Sequence, residues 1–285
     1  MNNKGKMWMA AGCCVLCLAG CGKSKEVEER QLSLRSQGMQ QALEGDYEAA
    51  VASYEEALAL SAGRNAGALE LDIAAYKASA QHYAGETQGA IDTCSAILDL
   101  KESAEIYMTR GLLYRESGNT QAANADFARA KELTPKKDSV TLGRLSYYME
   151  DYSGAKTYLE SASDGGDPEG VYWEAQLYWQ MGNTDYAVTL YQQYLEGESP
   201  EHQNAYARVA AWQMDQKDYD AALGTLESGI ARGEGESLKE LLGNEIAVYE
   251  QKGDFETAKL KMESYLERYP DDEKAQREYV FLKTR

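Results

Sequence analysis

The amino-acid sequence predicts an all-α protein built from a repeated pair of helices. A six-residue cassette recurs seven times: Gly, Glu or Lys first, a capping-type residue second, usually an aromatic third, and alanine last. The closing alanines are spaced 40, 33, 32, 32, 35 and 36 residues apart. Apolar residues recur every third or fourth position around each cassette, which is helical periodicity, and no sustained alternation predicts strands. The cassettes end at Ala50, Ala90, Ala123, Ala155, Ala187, Ala222 and Ala258.

The cassette has the chemistry of a tight turn between two helices. In Gly45-Asp46-Tyr47, glycine can adopt a positive φ and end one helix, and the aspartate side chain can cap the next. The aromatic residue is expected to hold the start of the new helix. The closing Ala50 is small, as expected where two helices cross closely. Each cassette therefore predicts the turn inside one helix pair.

With these features the chain resembles the tetratricopeptide repeat (TPR) family, whose units are antiparallel helix pairs. The best copy is 104–137, where Gly111, Tyr114, Phe127 and Pro135 stand at the family's spacings. The resemblance implies an α-solenoid, a right-handed superhelix, over residues 31–272, followed by a capping helix over 273–285. Residues 162–170 also resemble the Sel1-like relatives of the family. The expected units begin near residues 31, 71, 104, 136, 168, 203 and 239.

The N-terminus predicts export. Lys4 and Lys6 precede an apolar run over 7–18, which is too short for a bilayer-crossing helix of about 20 residues. The sequence Leu-Ala-Gly-Cys over 18–21 resembles the bacterial lipobox, which implies cleavage between Gly20 and Cys21 and lipid on Cys21. Residues 1–20 would be the signal peptide and 21–30 a polar tether. The predicted location is extracytoplasmic, on the cell membrane or an outer membrane. The alternative is an ordinary signal cut without lipid.

Charge and composition exclude several classes of function. The chain has 29 basic and 47 acidic side chains, a net charge of −18, and loss of residues 1–20 with their two lysines would leave −20. Such a charge repels polyphosphates, so nucleic-acid binding is not expected. Membrane attachment would have to come from the lipid. The simpler explanation for the charge is solubility of an exported protein.

The sequence shows no catalytic or cofactor motif, and we do not expect an enzyme. His82 and His202 are 120 positions apart and form no paired metal motif, so no metal or cofactor is expected. Phosphate-loop, dinucleotide and nucleophile-elbow motifs are missing from the sequence. The many carboxylates are typical of solvated helix faces. Cys94 is the one cysteine outside the N-terminal segment, and it fits a small buried residue better than a reactive thiol.

The resemblance implies a concave groove lined by the first helix of each unit, where family members bind peptides or partner domains. Arg, Tyr and Trp in such a face are typical of protein interfaces. Two alternatives stay open: the aromatics pack between helices, or the arginines neutralise nearby acids. The groove positions carry Arg35, Met39, Asp72, His82, Met108, Arg115, Arg144, Tyr147, Tyr172, Gln176, Trp179, Asn204 and Met214.

Together these features predict a membrane-anchored scaffold of the cell envelope that binds a partner protein or peptide in its groove, without catalysis. One alternative is a structural protein that forms homo-oligomers. Another is a cell-wall glycan-binding protein or hydrolase whose site the sequence does not reveal. The sequence does not identify the partner.

Overall fold

A computed structural model describes residues 24–62, 65–197, 200–233 and 237–285. These residues form fifteen α-helices and no strand, which confirms the predicted all-α fold. The predicted signal peptide and Cys21 lie outside the described residues. The helices are α1 Lys25–Leu43, α2 Tyr47–Ala59, α3 Ala68–Tyr83, α4 Thr87–Leu100, α5 Ala104–Glu116, α6 Thr120–Leu133, α7 Ser139–Tyr148, α8 Tyr152–Asp164, α9 Pro168–Gln180, α10 Thr184–Leu195, α11 Asn204–Asp215, α12 Tyr219–Ile230, α13 Leu238–Lys252, α14 Phe255–Arg268 and α15 Glu273–Leu282.

The helices form two compact units. The first extends to Asp126 and the second begins at Phe127, so the boundary lies within α6. In the first unit, α1 to α4 each pack against the next helix in the chain, and α1 also contacts α3. In the second unit, α7 to α15 pack in the same sequential way, and α7 contacts α9 as α11 contacts α13. Burial therefore comes mainly from neighbours along the chain, as in repeat proteins.

The turns have the geometry that the cassette predicts. The first residue of each of the seven cassettes has a positive φ, between 61° and 81°. At Gly45 this conformation lets the Asp46 amide reach back to the carbonyl of Gln41 at 2.9 Å, which closes α1. The Asp46 carboxylate then accepts a 3.1 Å hydrogen bond from the Ala49 amide and caps α2. Two cassettes place Glu150 and Lys217 in this conformation instead of glycine, and both have φ of 61°.

The closing alanines lie where helices cross, as predicted. All seven are at most 1% exposed. Larger side chains fill the space beside them: Tyr54 packs on Gly38 with Leu34 and Ile73 in the first unit. In the second unit, Tyr191 lies in a cluster with residues of α9, α10 and α11. Small side chains packed against large ones let neighbouring helices approach closely and fill the space between them.

The described chain begins and ends with capped helices. Ser24 accepts a hydrogen bond from the Val27 amide, so α1 begins at Lys25, within the segment that the sequence analysis assigned to a tether. At the other end, Asp272 caps α15, whose Ala275 and Leu282 pack in a cluster with α13 and α14. The last helix thus covers apolar residues of the preceding pair.

Candidate functional site

The predicted groove residues all lie on first helices of the helix pairs. They are Arg35 and Met39 on α1, Asp72 and His82 on α3, Met108 and Arg115 on α5, Arg144 and Tyr147 on α7, Tyr172, Gln176 and Trp179 on α9, and Asn204 and Met214 on α11. Most are half-buried, Arg115 is exposed and Tyr172 is buried. The two compact units use these positions differently.

In the first unit, Arg35 joins α1 to α3. Its Nε donates to Asp72 Oδ2 at 2.5 Å, and its guanidinium lies 4.7 Å from the centroid of the Tyr76 ring. The hydrogen bond with Asp72 raises the pKa of Arg35. Arg35 therefore neutralises a neighbouring acid, which is one of the two alternatives that the sequence left open.

A cleft opens between α3 and α5, with a volume of about 690 Å³. Its floor is apolar and includes side chains of α4. Its rim is largely acidic and contains the predicted residues Asp72 and His82. The lining consists of Leu71, Asp72, Ala75, Tyr76, Ala78, Ser79, His82, Tyr83, Cys94, Ile97, Lys101, Glu102, Ser103, Glu105, Ile106, Thr109, Leu112, Leu113 and Glu116.

His82 and Glu116 meet at one end of the cleft. His82 Nδ1 lies 3.3 Å from Glu116 Oε2, so the C-terminal ends of α3 and α5 are adjacent. His82 Nδ1 is buried, and within the described part of the chain this contact does not have hydrogen-bond geometry. The imidazole also lies 5.2 Å from the Tyr83 ring, between centroids.

Cys94 forms part of the cleft floor, and burial raises the pKa of its thiol to about 11. The thiol is fully buried beside Ala78, Ile91 and Leu113. A thiol with this pKa is almost entirely protonated at neutral pH and is a poor nucleophile. Cys94 therefore acts as a small packing residue, as the sequence analysis favoured.

In the second unit, an aromatic cluster joins α7 to α9. The Arg144 guanidinium lies 4.8 Å from the centroid of the Trp173 ring, within cation–π range. Tyr147 and Tyr148 meet the same indole edge-on, at centroid distances of 5.9 and 5.6 Å. The described atoms provide no hydrogen-bond partner for Arg144 Nε or Trp173 Nε1, and both nitrogens are buried. Arg144 and Tyr147 are thus held by contacts within the protein.

Tyr172 is a packing residue rather than an open groove residue, because it is only 4% exposed. Its ring stacks on His202 at 3.7 Å between centroids and 14° between planes. Its hydroxyl accepts a hydrogen bond from Gln176 Nε2 at 2.5 Å and donates one to Asn204 Oδ1 at 3.0 Å. Tyr172 therefore packs between helices, which is the other alternative that the sequence left open. Gln176 and Asn204 provide hydrogen-bond partners for its hydroxyl.

His202 is held in place from two sides. The Tyr194 hydroxyl accepts hydrogen bonds from the amides of Glu201 and His202, at 2.7 and 3.0 Å. His202 Nε2 lies 2.9 Å from one carboxylate oxygen of Glu169. The hydrogen bond with His202 lowers the pKa of Glu169, and the charge of Arg144 acts in the same direction.

Several side chains of these surfaces were not selected from the sequence. Glu105 and Glu169 are second in their units, the position that the predicted residues Asp72 and Asn204 hold in theirs, so the sequence did contain this signal. Trp173 and Arg208 are sixth in theirs, a position that none of the predicted groove residues holds. Arg208 lies 5.0 Å from the centroid of the Trp179 ring. The sixth position contributes because it lies one helical turn from the second and ninth positions.

These surfaces contain apolar, aromatic and charged side chains. Among the described residues, no group of three or more His, Cys, Asp or Glu side chains is arranged to hold a metal ion. None of the described helices has the length and apolar composition needed to cross a membrane. Among the described residues, the first unit has an open cleft between α3 and α5, and the second has an internally paired aromatic surface between α7 and α9.

Comparison with known proteins identifies the repeats. Family models described as tetratricopeptide repeat match residues 41–63, 104–137 and 172–237. No curated protein matches the chain.

Solved structures show the same fold at low sequence identity. A tetratricopeptide repeat protein from Parabacteroides merdae is 18% identical with a TM-score of 0.56, over 90% of this chain and 100% of that one. Yeast Tom70 is 18% identical with a TM-score of 0.70, over 92% of this chain and 55% of that one. Cut9–Hcn1, from an APC/C hetero-tetramer, is 14% identical with a TM-score of 0.55, over 90% of this chain and 59% of that one. Three segments of the chain thus match tetratricopeptide repeat models, and the described residues have the all-α fold of solved TPR proteins.

Proposed function

We propose that the chain is a non-catalytic, lipid-anchored scaffold of the cell envelope that binds a partner protein through its first-helix surfaces. The observation that carries the binding function is the cleft between α3 and α5, which combines an apolar floor with a charged rim. Concave sites with an apolar lining and a few polar groups are the usual form of ligand sites. TPR proteins commonly mediate protein–protein contacts, and the Cut9–Hcn1 structure is itself a hetero-tetramer.

The anchor rests on the sequence of the N-terminal segment. Lys4 and Lys6, the apolar run and the Leu-Ala-Gly-Cys sequence before residue 22 support cleavage before Cys21 and its acylation. A single acyl chain binds membranes only weakly, so stable anchoring requires more than one chain. We propose on the same sequence basis that residues 162–170 are a Sel1-like variation of the repeat; Gly170 lies against Ala162 there, as in a close helix crossing.

Metabolic labelling with an alkyne-tagged palmitate tests the anchor. The protein should incorporate label and remain in the membrane fraction, and Cys21→Ala should remove the label. Cys94→Ala is the matched control and should leave labelling unchanged. An unlabelled chain whose first retained residue is not Cys21, determined by mass spectrometry, would contradict the anchor.

Affinity purification from detergent-solubilised envelopes tests the binding function. The purified protein should bring down a defined partner in stoichiometric amount. Recovery of the chain alone, under detergent conditions that keep known envelope complexes intact, would count against a scaffold.

Self-association is the second candidate, favoured by exposed apolar residues on α15. Val280 is 63% exposed and Phe281 is 41% exposed, although Arg285 lies 4.5 Å from the centroid of the Phe281 ring. If this surface forms a homo-oligomer, light scattering should show an oligomer that Phe281→Lys converts to monomer. A wild-type protein that stays monomeric at high concentration would rule this candidate out.

A further inference from the structure

We infer that the cleft between α3 and α5 binds an extended segment of the partner in which a basic side chain neighbours an aliphatic or aromatic one. This inference rests on the proposed scaffold function and specifies the chemistry of its ligand. Three features of the cleft support this ligand: its length, its apolar floor and its charge.

The cleft has the length of a short extended peptide. Its lining runs from Leu71 to Tyr83 on α3 and from Glu105 to Glu116 on α5. At 1.5 Å per helical residue, this corresponds to roughly 18 Å. An extended chain rises about 3.3 Å per residue, so about five residues fit along the cleft. Its volume of about 690 Å³ leaves room for side chains to point into the floor.

The floor favours an apolar side chain. Ala75, Ile106 and Leu112 are half-buried, and beneath them lie the buried side chains of Cys94 and Leu113. A ligand that covers these partly exposed groups removes apolar surface from water on both partners. A polar ligand would gain little here, because the floor offers few hydrogen-bonding groups.

The rim favours a basic neighbour. Glu102 and Glu105 lie at one end of the cleft and Glu116 at the other, and Lys101 is the basic side chain of the lining. Asp72, which pairs with Arg35, also lines the cleft. By formal charge the lining carries four carboxylates and one lysine and is therefore negative, in a chain whose net charge is −18. Such a rim attracts Lys or Arg and repels acidic peptides and phosphates.

Aromatic rings at the rim support the same ligand. Tyr83 is 50% exposed and stacks on Tyr47, with 5.2 Å between centroids and 23° between planes. Tyr76 also lines the cleft and is already used by Arg35 as a cation–π partner. Tyr76 and Tyr83 thus give the rim aromatic surface of the kind that guanidinium and ammonium groups contact.

Selection of peptides from a random library tests this inference without knowledge of the partner. Phage-displayed random heptapeptides would be selected on the full-length protein in detergent. The best binders would then be measured by fluorescence anisotropy. Selected peptides should contain Lys or Arg next to Leu, Ile, Phe, Tyr or Trp, and their affinity should fall with rising salt.

Two cleft variants and one control make the result specific. Glu102→Lys with Glu105→Lys should weaken binding at least tenfold, and Thr109→Trp, which fills the cleft, should do the same. Glu48→Lys with Asp92→Lys makes the same charge change on the exposed faces of α2 and α4 and should alter affinity less than twofold. Circular dichroism would verify that each variant is folded.

Some outcomes would overturn the inference. They are a selection that yields acidic or purely apolar peptides, a selection that yields no binder, and cleft variants that bind as well as the control. If the protein still recovers its envelope partner after both cleft substitutions, the scaffold function stands and the cleft assignment fails. If no partner is recovered with the wild-type protein, the scaffold function itself fails.

Discussion

Replacement of Gly170 by alanine should lower the free energy of unfolding, although alanine is the better helix former. Gly170 lies in the first turn of α9, where that helix crosses the end of α8. A Cβ at this position would lie 2.6 Å from Ala162 Cβ and 2.8 Å from both the Ala162 carbonyl carbon and the Ser163 nitrogen. Non-bonded carbon atoms prefer separations of about 3.5–4.0 Å. The two helices would have to separate by about 1 Å, because two of the three atoms belong to the backbone.

The expected change in the stability of Gly170→Ala is the sum of two opposing effects. Overpacking of this kind costs about 1–3 kcal/mol. The better helix propensity of alanine returns at most about 1 kcal/mol. Gly170→Ala should therefore destabilise the protein by up to about 2 kcal/mol, which corresponds to a fall in Tm of up to about 4 °C for a chain of this size.

Gly224→Ala is the matched control. Gly224 lies in the interior of α12, and a Cβ there would meet no atom within 4 Å. This variant should gain the propensity without the clash, so its Tm should rise by about 2 °C. Thermal unfolding followed by circular dichroism at 222 nm measures both variants. A rise in Tm for Gly170→Ala equal to that for Gly224→Ala would refute the close crossing of α8 and α9.

Three further predictions concern a turn, a carboxyl pair and a buried ion pair. Glu150→Gly should stabilise the protein by about 1 kcal/mol in urea unfolding, because it removes a side chain from a residue with φ of 61°; a loss of stability would contradict this reading. Burial and the neighbouring Glu278 raise the pKa of Glu250 above 4.5, so its stabilising protonated form is lost as pH rises above that value. Glu250→Gln should therefore be more stable than wild type at pH 7 and lose this advantage below pH 4.5 in pH-dependent melts, and a gap that is constant with pH would refute the assignment. Arg110 donates two 2.8 Å hydrogen bonds to the buried Asp126. Arg110→Ala should therefore lower the free energy of unfolding in urea by about 3 kcal/mol, because it leaves the Asp126 carboxylate buried without its charge partner, whereas Arg110→Met with Asp126→Leu should lower it much less. Equal losses in the two variants would show that the lost charge partner is not the cause.

The sequence predicted the fold well because the repeat is local. Each turn depends on one residue with positive φ and one cap, and each crossing depends on one alanine, so all three appear in a six-residue pattern. Gly45, Asp46 and Ala50 show all three effects within a single turn. Repetition of the pattern specified the helix pairs without knowledge of long-range contacts.

The candidate site was harder to predict, because exposure depends on contacts between helices. Tyr172 lies at a groove position, yet residues of α10 and α11 cover it, and only the packing of three helices decides that. The cleft depends on the space between α3 and α5, which no residue pattern encodes. Asp72 and His82, which were predicted to lie on the first-helix groove face, both line this cleft.

Site-specific photocrosslinking tests most directly whether the protein binds a partner protein at the cleft between α3 and α5. Benzoylphenylalanine would replace Thr109 inside the cleft, or Asp92 on the exposed face of α4 as the control, in cells that make the full-length protein. Binding at the cleft should give a covalent adduct with one partner protein from position 109, suppressed by an excess of the selected basic peptide, and little adduct from position 92. Adducts that form equally at both positions, or only at position 92, would contradict it.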